Sequence, residues 1–204
     1  MTLRAQENRV IVGLGDSITA GNPGFHSPVE DPPEGSGNPE SQYAYWMMQA
    51  HPEWRVLNRG VGGERTDEIL ARFDRDVLAS KPNAVIVLAG INDLYQGNSA
   101  QSAIDNLSRI YARAEESGIR IIACTVMPYA GMGPRMRERL QQVNDWIRET
   151  SKAKHYGFCD LHAVMQDADQ PGELAHTEDG VHPDVAGYRE MAAALSGALE
   201  KTLQ

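Results

Sequence analysis

Ala84-Val85-Ile86-Val87-Leu88-Ala89-Gly90-Ile91-Asn92-Asp93 is the stretch from which the fold can be read. Residues 84–89 are uniformly apolar and rich in β-branched side chains, with no polar residue alternating between them. A strand with one wet face would alternate, so this run predicts a strand covered on both sides, as in a parallel sheet flanked by helices. Gly90 ends the run, and Asn92-Asp93 then stand just past its carboxyl end. Working outward, comparable runs occur at 10–14, ending at Gly15, at 56–58, at 119–125 and at 157–161, making five predicted strands.

Helical patterns fill the intervals. A short helix over 43–49 follows Ser41. Thr66 is placed to cap a helix whose first turn carries Asp67 and Glu68, favourable at the positive end of the helix dipole, and which aligns Ile69, Phe73 and Val77 on one face. Ile104, Leu107, Tyr111 and Ala114 mark the next, stopped by Gly118. Another starts near Pro134 and carries Met136, Leu140, Val143 and Ile147. The last starts after Pro183 and presents Val185, Tyr188, Met191, Ala192, Leu195 and Leu199. Strand–helix alternation of this kind predicts a flavodoxin-like three-layer α/β/α sandwich, with a five-stranded, mostly parallel sheet in a single domain over residues 1–204. The exception is 22–40, with five prolines and four acidic residues, which reads as an irregular loop. It departs almost directly from Ser17 and is expected to overhang whatever site Ser17 belongs to, shaping its substrate.

The bulk properties narrow the function classes. With 19 basic and 28 acidic residues the formal charge is −9, and no Lys/Arg cluster offers the basic face that a nucleic acid requires. No apolar run reaches the roughly 18 residues of a membrane span. The first residues, MTLRAQENRVIV, lack a hydrophobic signal core, which gives a cytoplasmic expectation. Cys124 and Cys159 fall in apolar runs and read as reduced core thiols. His51, His155 and His162 have no ligand-like spacing, His26 and His176 match no motif, and no metal or cofactor is expected. The oligomeric state is left open.

Ligands of parallel α/β sheets bind at the carboxyl ends of the strands. Gly15-Asp16-Ser17 follows the first predicted strand, Asn58-Arg59-Gly60-Val61-Gly62-Gly63 the second and Gly90-Ile91-Asn92-Asp93 the third, while Asp179-Gly180-Val181-His182 precedes the last helix. Each has an ordinary explanation alone: Ser17 as a helix cap, the glycines as a turn, Asn92-Asp93 as a turn, Asp179 and His182 as surface residues. Together they supply a nucleophile, a base with an acidic orienter, and donors for an oxyanion, which are the parts acyl transfer needs.

This ordered set resembles the SGNH hydrolases, also called the GDSL esterase/lipase family, from the first strand to the final helix. The resemblance implies a carboxylic ester hydrolase with Ser17 as nucleophile, His182 as general base and Asp179 holding the imidazole. It also implies an oxyanion hole from the Ser17 N–H, a glycine N–H best matched by Gly63, and the Asn92 side-chain amide, with Gly60 and Gly62 permitting the turn. Ile18 departs from the leucine of the family name. Residues 127–132 follow the fourth predicted strand and are expected to line the acyl side of the cleft. Small polar loops and the absence of an exposed apolar stretch favour a short acyl chain such as acetyl, on a carbohydrate or small alcohol. Acyl transfer to an alcohol, lysophospholipid or thioester cleavage, and a non-catalytic ligand-binding module are the competing readings. A nucleotide-binding protein would need a phosphate loop, and no Gly-x-x-x-x-Gly-Lys-Ser/Thr is present.

Overall fold

The computed structural model describes residues 9–204, so most of the N-terminal stretch read for a signal core lies outside the described residues. The chain runs β1 (Arg9–Gly15), α1 (Ser17–Ala20), β2 (Phe25–His26), β3 (Ser36–Gly37), α2 (Tyr43–Ala50), β4 (Trp54–Gly60), α3 (Thr66–Ala71), α4 (Phe73–Asp76) and β5 (Ala84–Leu88). It continues through α5 (Ile91–Tyr95), α6 (Ala100–Glu116), β6 (Arg120–Cys124), α7 (Pro134–Lys154), β7 (Gly157–Cys159), α8 (Leu161–Met165) and α9 (Val185–Thr202). The main sheet has the order β4-β1-β5-β6-β7, and every pairing in it is parallel. Taking only these five strands, the order is 2-1-3-4-5, that of flavodoxin-like sheets, whose switch point lies between the first and third strands. Ser17 leaves β1 beside β5 at that point.

Alternate strand residues feed two cores. Val12, Leu14, Val85, Val87, Ile121 and Ala123 meet α3, α4, α6 and α7 on one face. Ile11, Ala84, Ile86, Leu88, Ile122 and Cys124 meet α2, α8 and α9 on the other. All five residues of β5 are buried, as expected of a central strand covered on both sides. Among the described residues no helix is long and apolar enough to cross a membrane.

Four sequence expectations need correction. The helix expected to run from Thr66 to Val77 is broken at Arg72. The Arg72 guanidinium reaches away from the helix surface to the strand ends, donating to Gly15 O at 2.8 Å and Arg59 O at 2.8 Å. Thr66 is not a cap: its hydroxyl and N–H both donate to Asp93, at 2.6 and 2.9 Å, and it lies within the first turn. The run at 157–161 is a strand only to Cys159, because Asp160 accepts from Ala163 N and caps α8. Finally, 22–40 is not wholly irregular, since β2 and β3 pair as a two-residue antiparallel ladder.

Candidate active site

β1 delivers Ser17 through Asp16, whose buried carboxylate accepts the Ile18 N–H at 3.1 Å and caps the single turn of α1. Burial pushes the Asp16 carboxyl up to about 7, with the neighbouring Asp93 adding to the rise against the Ile18 N–H and Arg72. Opposite Ser17, Pro183 and Thr177 pair as an isolated antiparallel bridge that closes the segment carrying Asp179 and His182. His182 Nε2 lies 3.0 Å from Ser17 Oγ, and His182 Nδ1 lies 2.7 Å from Asp179 Oδ2. The other Asp179 oxygen accepts the backbone N–H groups of Val181 and His182 at 2.8 and 2.7 Å. Burial alone would raise the Asp179 carboxyl, but the His182 N–H, the imidazole and the Val181 N–H together bring it down to about 2. Asp179 is therefore a carboxylate at neutral pH, and an imidazole holding its Nδ1 proton against it presents Nε2 to the hydroxyl as an acceptor.

The second block forms the other wall. Among the N–H groups of residues 61–66, Val61 donates to Gly15 O, Gly62 to Glu30, Glu64 to Val61 O, Arg65 to Glu68 and Thr66 to Asp93. The Gly63 N–H alone has no acceptor among the described residues, and Gly63 lines the same cavity as Ser17 and Asn92. The glycines serve different ends. Gly63 has φ +76° with open space where a Cβ would go, so its need is conformational. Gly60 and Gly62 have no positive φ; a Cβ on Gly60 would stand 2.0 Å from Ala20 N, and one on Gly62 would stand 2.8 Å from Asn22 Oδ1. Gly60 is a glycine because the Ala20 backbone approaches it closely, rather than to permit the turn, whereas Gly62 meets only the ends of the Asn22 and Glu30 side chains. Asn92, at the start of α5, donates one amide hydrogen to Glu64 O at 3.0 Å. The other is available to a ligand in the cavity. Asp93, for which the sequence alone offers a turn or a cap, is fully buried and fixes α5 to the start of α3 through Thr66.

A cavity of about 450 Å3 gathers Ser17, Gly63, Asn92 and His182. Its remaining walls are largely apolar: Ile18, Ile91, Tyr95, Met127, Tyr129 and Val181. Met127, Pro128 and Tyr129 are where the sequence expected an acyl-side wall, whereas Met132 is buried in the core. Tyr95 is 69% and Val181 37% exposed, two of the three exposed large apolar side chains among the described residues. Apart from residues 127–129 this apolar lining is not legible in the sequence, because Ile18, Ile91, Tyr95 and Val181 come from separate elements and only the fold assembles them. Loop 22–40 contributes Asn22 to this cavity and Pro23, Gly24 and Asn38 to a second, more polar cleft on the Asp179 side of His182.

The remaining histidines have structural surroundings. His51 stacks on Trp54 with centroids 3.8 Å apart, His155 adopts a left-handed conformation at the end of α7, and His176 lies 3.5 Å from Glu190. His26 Nδ1 lies 3.3 Å from Asn22, and burial lowers the His162 pKa beside Val126 O. Among the described residues no group of three or more His, Cys, Asp or Glu is arranged to hold a metal. Cys124 and Cys159 are buried free thiols.

Residues 14–190 match the GDSL-like lipase/acylhydrolase family. The chain is 27% identical over 202 residues to an acetylxylan esterase of Geobacillus stearothermophilus, covering 89% of this chain and 90% of that one. It is 21% identical over 203 residues to an arylesterase of Vibrio mimicus, covering 100% and 94%. Among solved structures, the Geobacillus acetylxylan esterase superposes with a TM-score of 0.75 at 25% identity, covering 95% of this chain and 94% of that one. Two further structures of that esterase are described as catalytic mutants, one with a serine and one with an aspartate changed to alanine. This chain belongs to the GDSL-like lipase/acylhydrolase family and is a carboxylic ester hydrolase.

Proposed function

We propose that the chain is a serine esterase that works through an acyl-enzyme, with Ser17 as nucleophile, His182 as general base and Asp179 as the group that orients and stabilises the imidazole. The observation carrying this reading is the continuous chain from Ser17 Oγ to His182 Nε2 at 3.0 Å and from His182 Nδ1 to Asp179 at 2.7 Å. Ser17 Oγ attacks the ester carbonyl while Nε2 takes its proton. The charge that develops on the carbonyl oxygen is met by the Ser17 N–H, the free Gly63 N–H and the second Asn92 amide hydrogen. Collapse of the tetrahedral species expels the alcohol, which receives the proton from His182. Water then attacks the acyl-serine, giving up a proton to His182, which returns it to Ser17 Oγ as the acid leaves. Each step uses only protein groups and water.

The substrate in this reading is a carboxylic ester with a short acyl chain, acetyl foremost, on a carbohydrate or small alcohol. Its support is the likeness to an acetylxylan esterase over 89% of this chain. The apolar walls around Ser17 favour a second reading, an aryl or longer-chain ester, because Tyr95 and Tyr129, packed edge to face with ring centroids 6.0 Å apart, offer an aromatic flank. One experiment tests both. Hydrolysis of p-nitrophenyl acetate, butyrate and octanoate and of acetylated xylo-oligosaccharides is measured for the protein and for Ser17→Ala. The expected result is turnover that disappears with Ser17→Ala and is highest for the acetyl esters. Retained turnover in the variant removes Ser17 from the mechanism, and octanoate as the best substrate selects the second reading.

A further inference from the structure

Glu30 stands in the Pro-rich loop, yet its side chain is largely enclosed and its carboxylate spans two parts of the site. Oε2 accepts the Ser27 N–H at 3.0 Å and the Asn22 amide at 3.4 Å, while Oε1 accepts the Gly62 N–H at 2.7 Å. Ser27 is fully buried, and its hydroxyl donates to Gly60 O at 2.6 Å while accepting the Glu30 N–H at 3.3 Å. Ser27-Pro28-Val29-Glu30 is thus a reciprocal capping arrangement, Ser to Glu backbone and Glu to Ser backbone, used to lock a turn and not to start a helix. The locked turn grips the second block at two points, Gly60 O and Gly62 N.

From the opposite side Gln96 Nε2 donates to Gly63 O at 2.9 Å and Asn92 donates to Glu64 O at 3.0 Å. The backbone from Gly60 to Glu64 is therefore clamped on both flanks of the one N–H that remains free, that of Gly63. Gly63 has a positive φ and no side chain to pack, so the orientation of its N–H depends on the hydrogen bonds that hold its neighbours and its own carbonyl. We infer that Glu30 is a positioning residue: by holding the Gly62 N–H it aims the Gly63 N–H at the oxyanion position, making loop 22–40 part of the catalytic frame. This rests on the reading of Gly63 as an oxyanion donor. A glycine-rich turn without that grip would pivot, and a donor displaced by about 1 Å loses much of its transition-state selectivity.

The test compares Glu30→Ala and Glu30→Gln with the unmodified protein on p-nitrophenyl acetate, with thermal melting recorded for each and Asn92→Ala as a control. Glu30→Ala should lower kcat about tenfold or more, short of the roughly 10²–10³-fold loss of an oxyanion donor itself, with KM within about twofold. Glu30→Gln keeps one acceptor oxygen and should fall between. A merely structural role would lower the melting temperature and leave the kcat of the folded fraction unchanged, which overturns the proposal. A Glu30→Ala variant as fast as the unmodified protein also overturns it, because the grip on the Gly62 N–H would then be dispensable. If Asn92→Ala leaves kcat unchanged as well, the oxyanion reading itself has failed. If Asn92→Ala loses rate and the Glu30 variants do not, only the present inference has.

Discussion

Ser17 and Gly63 stand on ground held by side chains distant in sequence. The Arg72 guanidinium, 6% exposed, ties Gly15 O to Arg59 O and is neutralised by Glu64 and Asp76 at 2.6 and 2.7 Å. Asn58 joins β4 to Ala20 O and Gln42, and Asp93 joins α5 to α3. Asp179 and His182 are held otherwise: every hydrogen bond to Asp179 comes from Thr177, Val181 or His182, within three residues, and the carboxylate is 43% exposed. Beyond that local knot, the contact of Ala130 N with Gly180 O at 2.7 Å ties the turn to the 127–132 segment. The half that carries the proposed nucleophile and oxyanion donors is thus part of the folding core, and the half that carries the proposed acid–base pair is a self-contained turn laid against it. Loss of the buried Arg72 support of the first should register chiefly as lost stability, and damage to the second as lost rate in a protein that still folds.

The widest expected effect separates the two halves on the rate side. Asp179→Asn keeps the shape of the turn but removes the charge and lets the amide favour the wrong imidazole tautomer. On the reading of Asp179 as orienter, kcat on p-nitrophenyl acetate should fall by about 10³–10⁴, the scale of a triad whose tautomer is lost. The urea midpoint near pH 7 should barely move, since an ion pair this exposed adds little. A loss of rate under tenfold would show that the turn alone holds the imidazole.

Arg72→Met should give the reverse pattern. Asp76 has burial pushing its carboxyl up and the Arg75 and Arg72 hydrogen bonds bringing it below its ordinary value. Removing Arg72 leaves Asp76 with Arg75 as its cationic partner and Glu64 without Arg72, and takes one donor each from Gly15 O and Arg59 O, a cost on the order of 3–5 kcal/mol for breaking a buried charge cluster. Chemical denaturation measures it. If stability is kept while kcat falls more than tenfold, the division into a stability half and a rate half does not hold.

This division also explains what could be read in the sequence. The strands, the helix faces and the four motif blocks were legible because each is a local pattern: an apolar run closed by Gly15 or Gly90, a four-residue spacing, an aspartate three residues from a histidine. Even the acid–base turn is local. Arg72, Asp93 and the part of the apolar lining outside residues 127–129 were hidden because their meaning lies in partners far along the chain: Gly15 for Arg72, Thr66 for Asp93, and Tyr129 for Tyr95. The break in the helix at Arg72 has the same origin, a side chain recruited by the sheet within a pattern that otherwise reads as continuous. Glu30 was the exception that could have been found, since Ser27-Pro28-Val29-Glu30 carries a capping-box spacing. Its use to lock a loop instead of opening a helix removed the apolar run that normally advertises it.

Asp16 sharpens the comparison from inside the core half. Its carboxyl is raised to about 7 in the folded protein, against 3.8 ordinarily, mainly by burial. Between pH 4 and pH 7 the folded state therefore binds more proton at Asp16 than the unfolded chain does, and the contribution of this group to stability declines as pH rises through that window. A shift of this size corresponds to about 4 kcal/mol at most, fully felt above pH 7. Asp179, lowered to about 2, is ionised in both states from pH 5 upward and adds no slope there. Asp93 is also raised, by burial first, and slopes in the same direction as Asp16, but it is present in both proteins compared. Asp16→Asn keeps an oxygen to accept the Ile18 N–H and removes the charge. The variant should be more stable than the unmodified protein by about 2 kcal/mol or more at pH 8, and the difference should shrink toward zero at pH 4. Urea midpoints at the two pH values decide it. A variant less stable at pH 8 would mean that the Asp16 charge is held by Arg72 more firmly than burial disfavours it, and the core half would then be an electrostatic clamp as well as an apolar one.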